Sequence, residues 1–232
     1  MTKPVLQLVD VVKEYPSKPP VRALAGVSFE VAGGELVAVV GPSGSGKTTL
    51  LHLMGTLDRP SSGQITVAGH RVDDLSDREL SSLRSRHIGF VFQQYFLLSG
   101  YTALDNVADG LLYTGMVLAE RRERALLALQ RVGLSHRLGH VANELSGGEQ
   151  QRAAIARALV GRPAIVLADE PTGNLDTKTS NSIVELLEEL NGEGSTIVVI
   201  THNLDIAGRI PRSIGLRDGL VEYDTGSVGA MT

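Results

Sequence analysis

Eight residues, Gly41-Pro42-Ser43-Gly44-Ser45-Gly46-Lys47-Thr48, constrain this chain more than any other stretch. They complete the phosphate-loop pattern G-x-x-x-x-G-K-[ST] between an apolar run, Leu36 to Val40, and a segment from Lys47 to Met54 that reads as a helix. A strand must enter the loop and a helix must leave it, so the fold belongs to the α/β class. Glycines at 41, 44 and 46 let the backbone curl until successive N–H groups converge on phosphate oxygens. The helix behind them presents its positive end to the same anion. Lys47 then reaches the outer phosphates, the Thr48 hydroxyl is an oxygen ligand of the kind Mg²⁺ takes, and Thr49 completes the expected nucleotide-binding segment. A glycine-rich turn that merely opens a helix is the alternative; the complete pattern in strand–loop–helix order speaks against it.

Around this centre the chain reads as mostly β before the loop and alternating after it. Val5 to Val12 and Val27 to Val31 are expected strands, separated by Pro16, Pro19 and Pro20, and Ala32-Gly33-Gly34-Glu35 is a turn. Gln64 to Val67 and Ile88 to Phe92 are further strands, with a helix over Asp77 to Arg84 between them. From Thr102 to Val160 the spacing is helical, placing Leu104, Val107, Ala108, Leu111 and Leu112, then Leu126, Leu127 and Leu129, on packing faces. A helix over Gly148 to Val160 carries Ala153, Ala154, Ala156 and Ala158 for close approach to a neighbour, with Arg152 and Arg157 expected on its wetter side. Ala164 to Ala168 and Ser195 to Ile200 are buried-type strands flanking a helix, Thr179 to Leu190, whose Glu185, Glu188 and Glu189 face solvent. This alternation predicts a mainly parallel sheet covered on both faces, with ligands beyond the carboxyl ends of its strands. The phosphate loop, Asp169-Glu170 and Thr201-His202 each follow a strand, so three stretches converge on one edge. Thr225 to Thr232 read as a frayed tail.

The 232 residues suit one domain with a sizeable core, and a net charge of −4 offers no broad basic footprint for nucleic acid. With no cysteine there is no thiolate metal site, disulfide framework or cysteine nucleophile. Met1-Thr2-Lys3-Pro4 lacks the apolar stretch of a leader, and no run approaches a membrane span. A role at a membrane is therefore expected to run through a partner chain.

Two further stretches carry chemistry. Asp169 and Glu170 close an apolar strand: Asp169 suits a hold on Mg²⁺ from behind its ligands or through a water, and Glu170 can orient, or take a proton from, an attacking water. Ser146 ahead of Gly147 and Gly148 offers a cap hydroxyl, uncrowded N–H groups and a helix dipole, a second anion receptor. Ser146 with Glu149 also spells a capping box, and the two readings are compatible.

The block Leu145-Ser146-Gly147-Gly148-Glu149-Gln150-Gln151-Arg152 matches the signature motif of ATP-binding cassette ATPases, and the chain resembles that family over nearly its whole length. The resemblance implies a phosphate-loop NTPase (RecA-like) core with a mainly parallel sheet, an N-terminal antiparallel β subdomain and an α-helical subdomain inserted over about 94–160, within one ATPase domain. Tyr15 is placed like the aromatic that stacks on adenine, and Gln93 resembles the glutamine that touches Mg²⁺ and the reactive water. Asn174-Leu175-Asp176 looks like the D-loop, and His202 like the switch histidine that contacts the γ-phosphate. Taken singly, these are a core tyrosine, a loop glutamine, a turn and a strand-end histidine.

In this family two cassettes pair head to tail, so that the Ser146-Gly147-Gly148 segment, with Glu149 and Asp176 in the nucleotide-binding set, meets the phosphate loop of a second copy. The resemblance thus implies ATP and Mg²⁺ as cofactors, a homodimer or a pairing with a second ATPase, and an integral-membrane permease as partner at the cytoplasmic face of the cell membrane. Asp169 to Asp176 together with Phe92-Gln93-Gln94 is similar to the MacB, LolD and FtsE branch, whose members serve permeases for lipoproteins, peptides, antibiotics or haem. Two departures stand out: Ala142 where relatives often carry proline, and Asn203 where aspartate is common, which puts local carboxylate support for His202 in doubt. A soluble cassette ATPase acting on nucleic acid or ribosomes is the alternative, but tandem cassettes, coiled-coil insertions and basic arms are missing. A small-molecule kinase would leave residues 145–152 unexplained.

Overall fold

The computed structural model describes residues 4–226. Its first two strands, β1 (Pro4–Tyr15) and β2 (Val21–Ala32), are each 12 residues long and exceed their apolar cores. β1 pairs along one side with β2 and along the other with β4 (Ser62–Val67), with bulges that interrupt both registers around Asp10 (φ 48°). With β5 (His70–Arg71) these strands form an antiparallel sheet in the order β2-β1-β4-β5. The second sheet comprises β3 (Leu36–Val40), β6 (Ile88–Val91), β7 (Ile165–Asp169), β8 (Ile197–Thr201), β9 (Arg212–Arg217) and β10 (Leu220–Asp224), in the order β10-β9-β3-β8-β7-β6. It is parallel throughout, except that β10 returns antiparallel to β9.

Alternation along β3, β7 and β8 divides the interior in two. Val37, Val39, Ile165, Leu167, Val198 and Ile200 join one core, which includes the apolar face of helix α1 (Lys47–Met54) and the inner face of the antiparallel sheet. Leu36, Ala38, Val40, Val166, Ala168, Ile197 and Val199 join the other. That second core is closed by α3 (Ala103–Ala108), α4 (Leu118–Arg131), α5 (Gly147–Leu159) and α6 (Thr177–Gly192), while α2 (Asp77–His87) packs on the first. Continuous apolar runs are what a sheet covered on both faces requires.

Several expectations are corrected. Leu112 is exposed because α3 stops at Ala108 and the chain tightens into a 3₁₀ turn, Asp109–Thr114, whose three-residue period turns Leu111 inward and Leu112 out. Leu127 is exposed too, since the buried stripe of α4 is Ala125, Ala128 and Leu129. Arg152 and Arg157 do not lie on a wet side. Arg152 donates to Val132 O and to Ser182, and Arg157 donates to the carbonyl oxygens of Tyr95 (2.8 Å) and Phe96 (2.5 Å). The β9–β10 hairpin was not anticipated, although its turn residues Asp218 (φ 49°) and Gly219 (φ 76°) are an Asp-Gly pair of the favoured hairpin type. The tail expected over Thr225 to Thr232 is not frayed at its start, because Thr225 N–H donates to Ser213 O and Thr225 Oγ1 accepts from Ser213 N–H. Its remainder, 227–232, lies outside the described residues.

Candidate active site

Strand register builds the site. Val40 pairs with Thr201 and Asp169 with Ile200, so Gly41, His202 and Glu170 leave three adjacent strands, β3, β8 and β7, at one edge. Neighbouring strands lie about 4.8 Å apart, which gathers three residues distant in sequence.

The phosphate loop is walled by backbone. A Cβ at Gly41 would strike the carbonyl oxygen of Leu216, and one at Gly46 (φ 102°) would come within 2.5 Å of Ala23 O. Only glycine fits either place. Gly46 caps α1 without a side chain, which leaves the first N–H groups of that helix free for an anion. Ser45 Oγ, on a residue 2% exposed, has no hydrogen-bond partner among the described residues, a buried polar atom that faces its own loop beside Gly41. Lys47 Nζ donates to the carbonyl oxygens of Gly41 (2.7 Å) and Pro42 (2.8 Å). Burial pushes the Lys47 ammonium below its ordinary value, opposed by the charges of Glu170 and Asp169. Free N–H groups, a lysine and an unpartnered hydroxyl suit a polyphosphate.

Magnesium meets a sparse donor set: among the described residues no three His, Cys, Asp or Glu side chains cluster to hold a metal. A magnesium ion bound beside phosphates needs only one or two protein oxygens, and Thr48, Asp169 and Glu170 are oxygen-bearing residues at the ends of the strand–loop segments here. Burial raises the Asp169 carboxyl above its usual range, Glu170 adds to the rise, and His52 and Lys47 oppose it.

Glu170 stands at φ 45°, a left-handed conformation uncommon outside glycine, and its N–H donates to Ile200 O at 2.9 Å. Its Oε1 accepts from the backbone N–H of His202 (2.9 Å) and contacts His202 Nδ1 (2.6 Å), while Oε2 accepts from the Thr201 hydroxyl (3.0 Å). A carboxylate only accepts, so the contact places a proton on Nδ1. Glu170 keeps 16% side-chain exposure and His202 71%, which leaves the far side of the imidazole open. Asn203 therefore does not strip His202 of a carboxylate: Glu170 supplies it, and Asn203 Oδ1 caps α7 (Leu204–Ala207) by accepting from Asp205 N–H and Ile206 N–H.

The remaining predicted residues fall into separate groups. Gln93 Nε2 donates to Asn174 Oδ1 (3.1 Å) and Asn174 Nδ2 donates back to Gln93 O (2.9 Å), so the glutamine is tied to the turn after β7 rather than to Glu170 or His202. Tyr15 is half-buried, its hydroxyl 3.4 Å from Asp58 Oδ2 and its ring 5.1 Å from Lys13 Nζ. It pairs with Val21, two residues from the Ala23 that walls the loop.

Ser146 is exposed at the head of α5 in a complete capping box: its hydroxyl accepts from Glu149 N–H, and its own N–H donates to Glu149 Oε2 at 2.8 Å. Ser146 hydrogen bonds and Arg137 hold the Glu149 carboxyl down at about 2. Gly147 lies against Tyr95 and Leu175, and Gly148 against Thr179, whose N–H and hydroxyl donate to Asp176. Segments 146–149 and 174–179 thus abut one another, and among the described residues no hydrogen bond joins either to residues 41–48. Thr201 closes β8 rather than following it, and its contact with Glu170, like the contact of the Asn174 side chain with Gln93, was not among the sequence expectations. A hydroxyl at the end of an otherwise aliphatic strand was the available signal.

Comparison with known proteins follows the same map. The profile described as ABC transporter matches residues 24–173. An uncharacterised ABC transporter ATP-binding protein of Thermotoga maritima is 52% identical over 221 residues, which cover 95% of this chain and 94% of that protein. The macrolide export ATP-binding/permease protein MacB of Hyphomonas neptunium is 47% identical over 228 residues, 98% of this chain but 35% of that protein. The chain thus spans about a third of its MacB relatives. Among solved structures, the dimeric bacterial ABC transporter cassette MJ0796 superposes with a TM-score of 0.85 at 44% identity, over 97% of this chain and 100% of that one. A post-hydrolysis dimer of MJ0796 bound to ADP and Pi also gives a TM-score of 0.85, at 43% identity over 97% and 100% of the two chains. With the matched span running from within β2, through the phosphate loop and the signature helix, to the carboxylates that close β7, the chain belongs to the ABC transporter family, as one of its ATP-binding and ATP-hydrolysing cassettes.

Proposed function

We propose that this cassette powers a separate integral-membrane permease from the cytoplasmic face of the cell membrane, in an export or mechanical-coupling system of the MacB kind. Two copies pair head to tail, with Ser146, Gly147 and Gly148 of one facing Lys47 and Thr48 of the other. The abutment of segments 146–149 and 174–179 supports this arrangement, since each copy carries an anion-receptive helix head that its own phosphate loop does not use.

The carrying observation is the Glu170 carboxylate, held by Thr201 and His202 at the edge where the phosphate loop also emerges. In this reading the loop N–H groups and Lys47 bind the β- and γ-phosphates, and Tyr15 stacks on the base. Glu170 orients a water and takes its proton, while His202 presents its open side to the γ-phosphate. Magnesium, held through Thr48 and Asp169, with Gln93 as a further oxygen donor, supplies charge neutralisation when bound. Exposed Phe96, Leu98 and Tyr101, close in sequence to Gln93, offer apolar contacts to a permease segment. A net charge of −4 does not favour action on nucleic acid.

ATP turnover and ATP-dependent dimerisation of the native chain and of Glu170→Gln test the proposal. Glu170→Gln should lose turnover and accumulate as an ATP-bound dimer. Normal turnover by the variant, or no self-association of either protein with ATP, refutes it.

A further inference from the structure

We propose that Thr201 is a positioning residue for Glu170, whose hydroxyl fixes the carboxylate oxygen left to meet water. This rests on the reading of Glu170 as the group that activates water.

Thr201 ends β8 after four aliphatic residues, Ile197-Val198-Val199-Ile200, and is 1% exposed. Packing alone would favour valine there, because a buried hydroxyl is costly unless it is bonded. This one is bonded twice, accepting from Asn203 N–H at 3.0 Å and standing 3.0 Å from Glu170 Oε2. An amide N–H can only donate, so the single hydroxyl hydrogen is committed to Glu170. Asn203 is itself fixed, since its side chain caps α7. A directed chain of bonds therefore runs from the start of that short helix, through Asn203 N–H and Thr201 Oγ1, to one oxygen of the carboxylate.

The other oxygen is already occupied. Oε1 meets the His202 N–H and Nδ1, which uses both of its lone pairs. One lone pair of Oε2 remains, and its direction is set by the Thr201 hydroxyl on the same atom. Without that hydroxyl the carboxyl end is held through Oε1 alone, and the terminal torsion of a glutamate is broad. The left-handed backbone of Glu170 needs surroundings that over-determine it, and the Thr201 bond is one of these.

The test measures Mg-ATP turnover, the midpoint of urea unfolding, and affinity for a fluorescent ATP analogue. It compares the native chain with Thr201→Val, Thr201→Ser, Thr201→Ala and Glu170→Gln. Thr201→Val, which keeps the shape, should lower kcat roughly ten- to a hundredfold, the effect of losing a hydrogen bond to a charged group, with KM and analogue affinity within about twofold. Thr201→Ser should recover kcat to within about threefold. If Thr201→Val does not fold, the Ser and Ala variants, which differ by the hydroxyl alone, carry the test: Ser active and Ala slow is expected. The proposal is overturned if Val, or Ala in its place, turns over at the native rate. Ser as slow as Ala, or a loss in KM rather than kcat, overturns it equally. Native turnover by Glu170→Gln refutes the role of Glu170 itself, whatever the Thr201 variants do.

Discussion

Glu149 makes the head of the signature helix sensitive to acid, and the size of that sensitivity follows from its contacts. Its Oε2 accepts from Ser146 N–H and Ser146 Oγ, both at 2.8 Å, and its Oε1 accepts from Arg137 Nε at 2.7 Å. His136 Nε2 lies 3.8 Å from the same Oε1. Bonds to the ionised form hold the carboxyl at about 2 rather than 4.5. At about 1.4 kcal/mol per unit this gap sets a ceiling of about 3 kcal/mol. The carboxylate keeps 19% side-chain exposure, and solvent screening brings the expected contribution down to about 1–2 kcal/mol. A depressed folded value gives stability that is present above the unfolded value and lost as pH falls through the folded one, here between 4.5 and about 2.

Glu149→Gln keeps an acceptor for Ser146 but gives up the charge. Urea unfolding of native and variant chains should differ by about 1–2 kcal/mol at pH 7, by the same amount at pH 5.5, and by about half or less at pH 3. A difference that stays flat from pH 7 to pH 3 would refute the assignment to the ionised carboxylate.

Two other perturbations test the walls of the site. Gly46→Ala places a Cβ against Ala23 O at a φ of 102°. Backbone cannot move aside as a side chain can, so fluorescent-ATP binding should fall by more than tenfold, and native-like affinity would show that the wall yields. Arg157→Met leaves the carbonyl oxygens of Tyr95 and Phe96 without their donor and should destabilise the chain by about 2 kcal/mol, lowering Tm by about 5 °C in calorimetry. An unchanged Tm would mean that water replaces the guanidinium.

Much of the site was legible because its parts are local. The phosphate loop, Asp169-Glu170 and Thr201-His202 each sit at the end of an apolar run, and strands of that kind can only stack side by side. What remained hidden is non-local or turns on direction. The Glu170–His202 contact joins residues 32 apart, and nothing in either segment specifies it. The arginines of α5 carry a charge that suggests water, whereas backbone carbonyls, invisible in a sequence, receive it. Leu127 misled because Leu126-Leu127-Leu129 offers two helical registers, and small residues, Ala125 and Ala128, take the inner one. The Asp218-Gly219 pair, by contrast, is a hairpin signal carried by the sequence itself.

The division of β3, β7 and β8 between two cores has a mechanical consequence. The face that holds α1 presents Val37, Val39, Ile165 and Leu167, bulky rows that key the phosphate loop to the sheet. The opposite face sets Leu36, Ala38, Val40, Val166 and Ala168 in the same core as Ala153, Ile155 and Ala156 of the signature helix. The phosphate loop and the signature helix therefore lean on opposite faces of the same strands, so a displacement of the helices reaches the nucleotide only through the sheet.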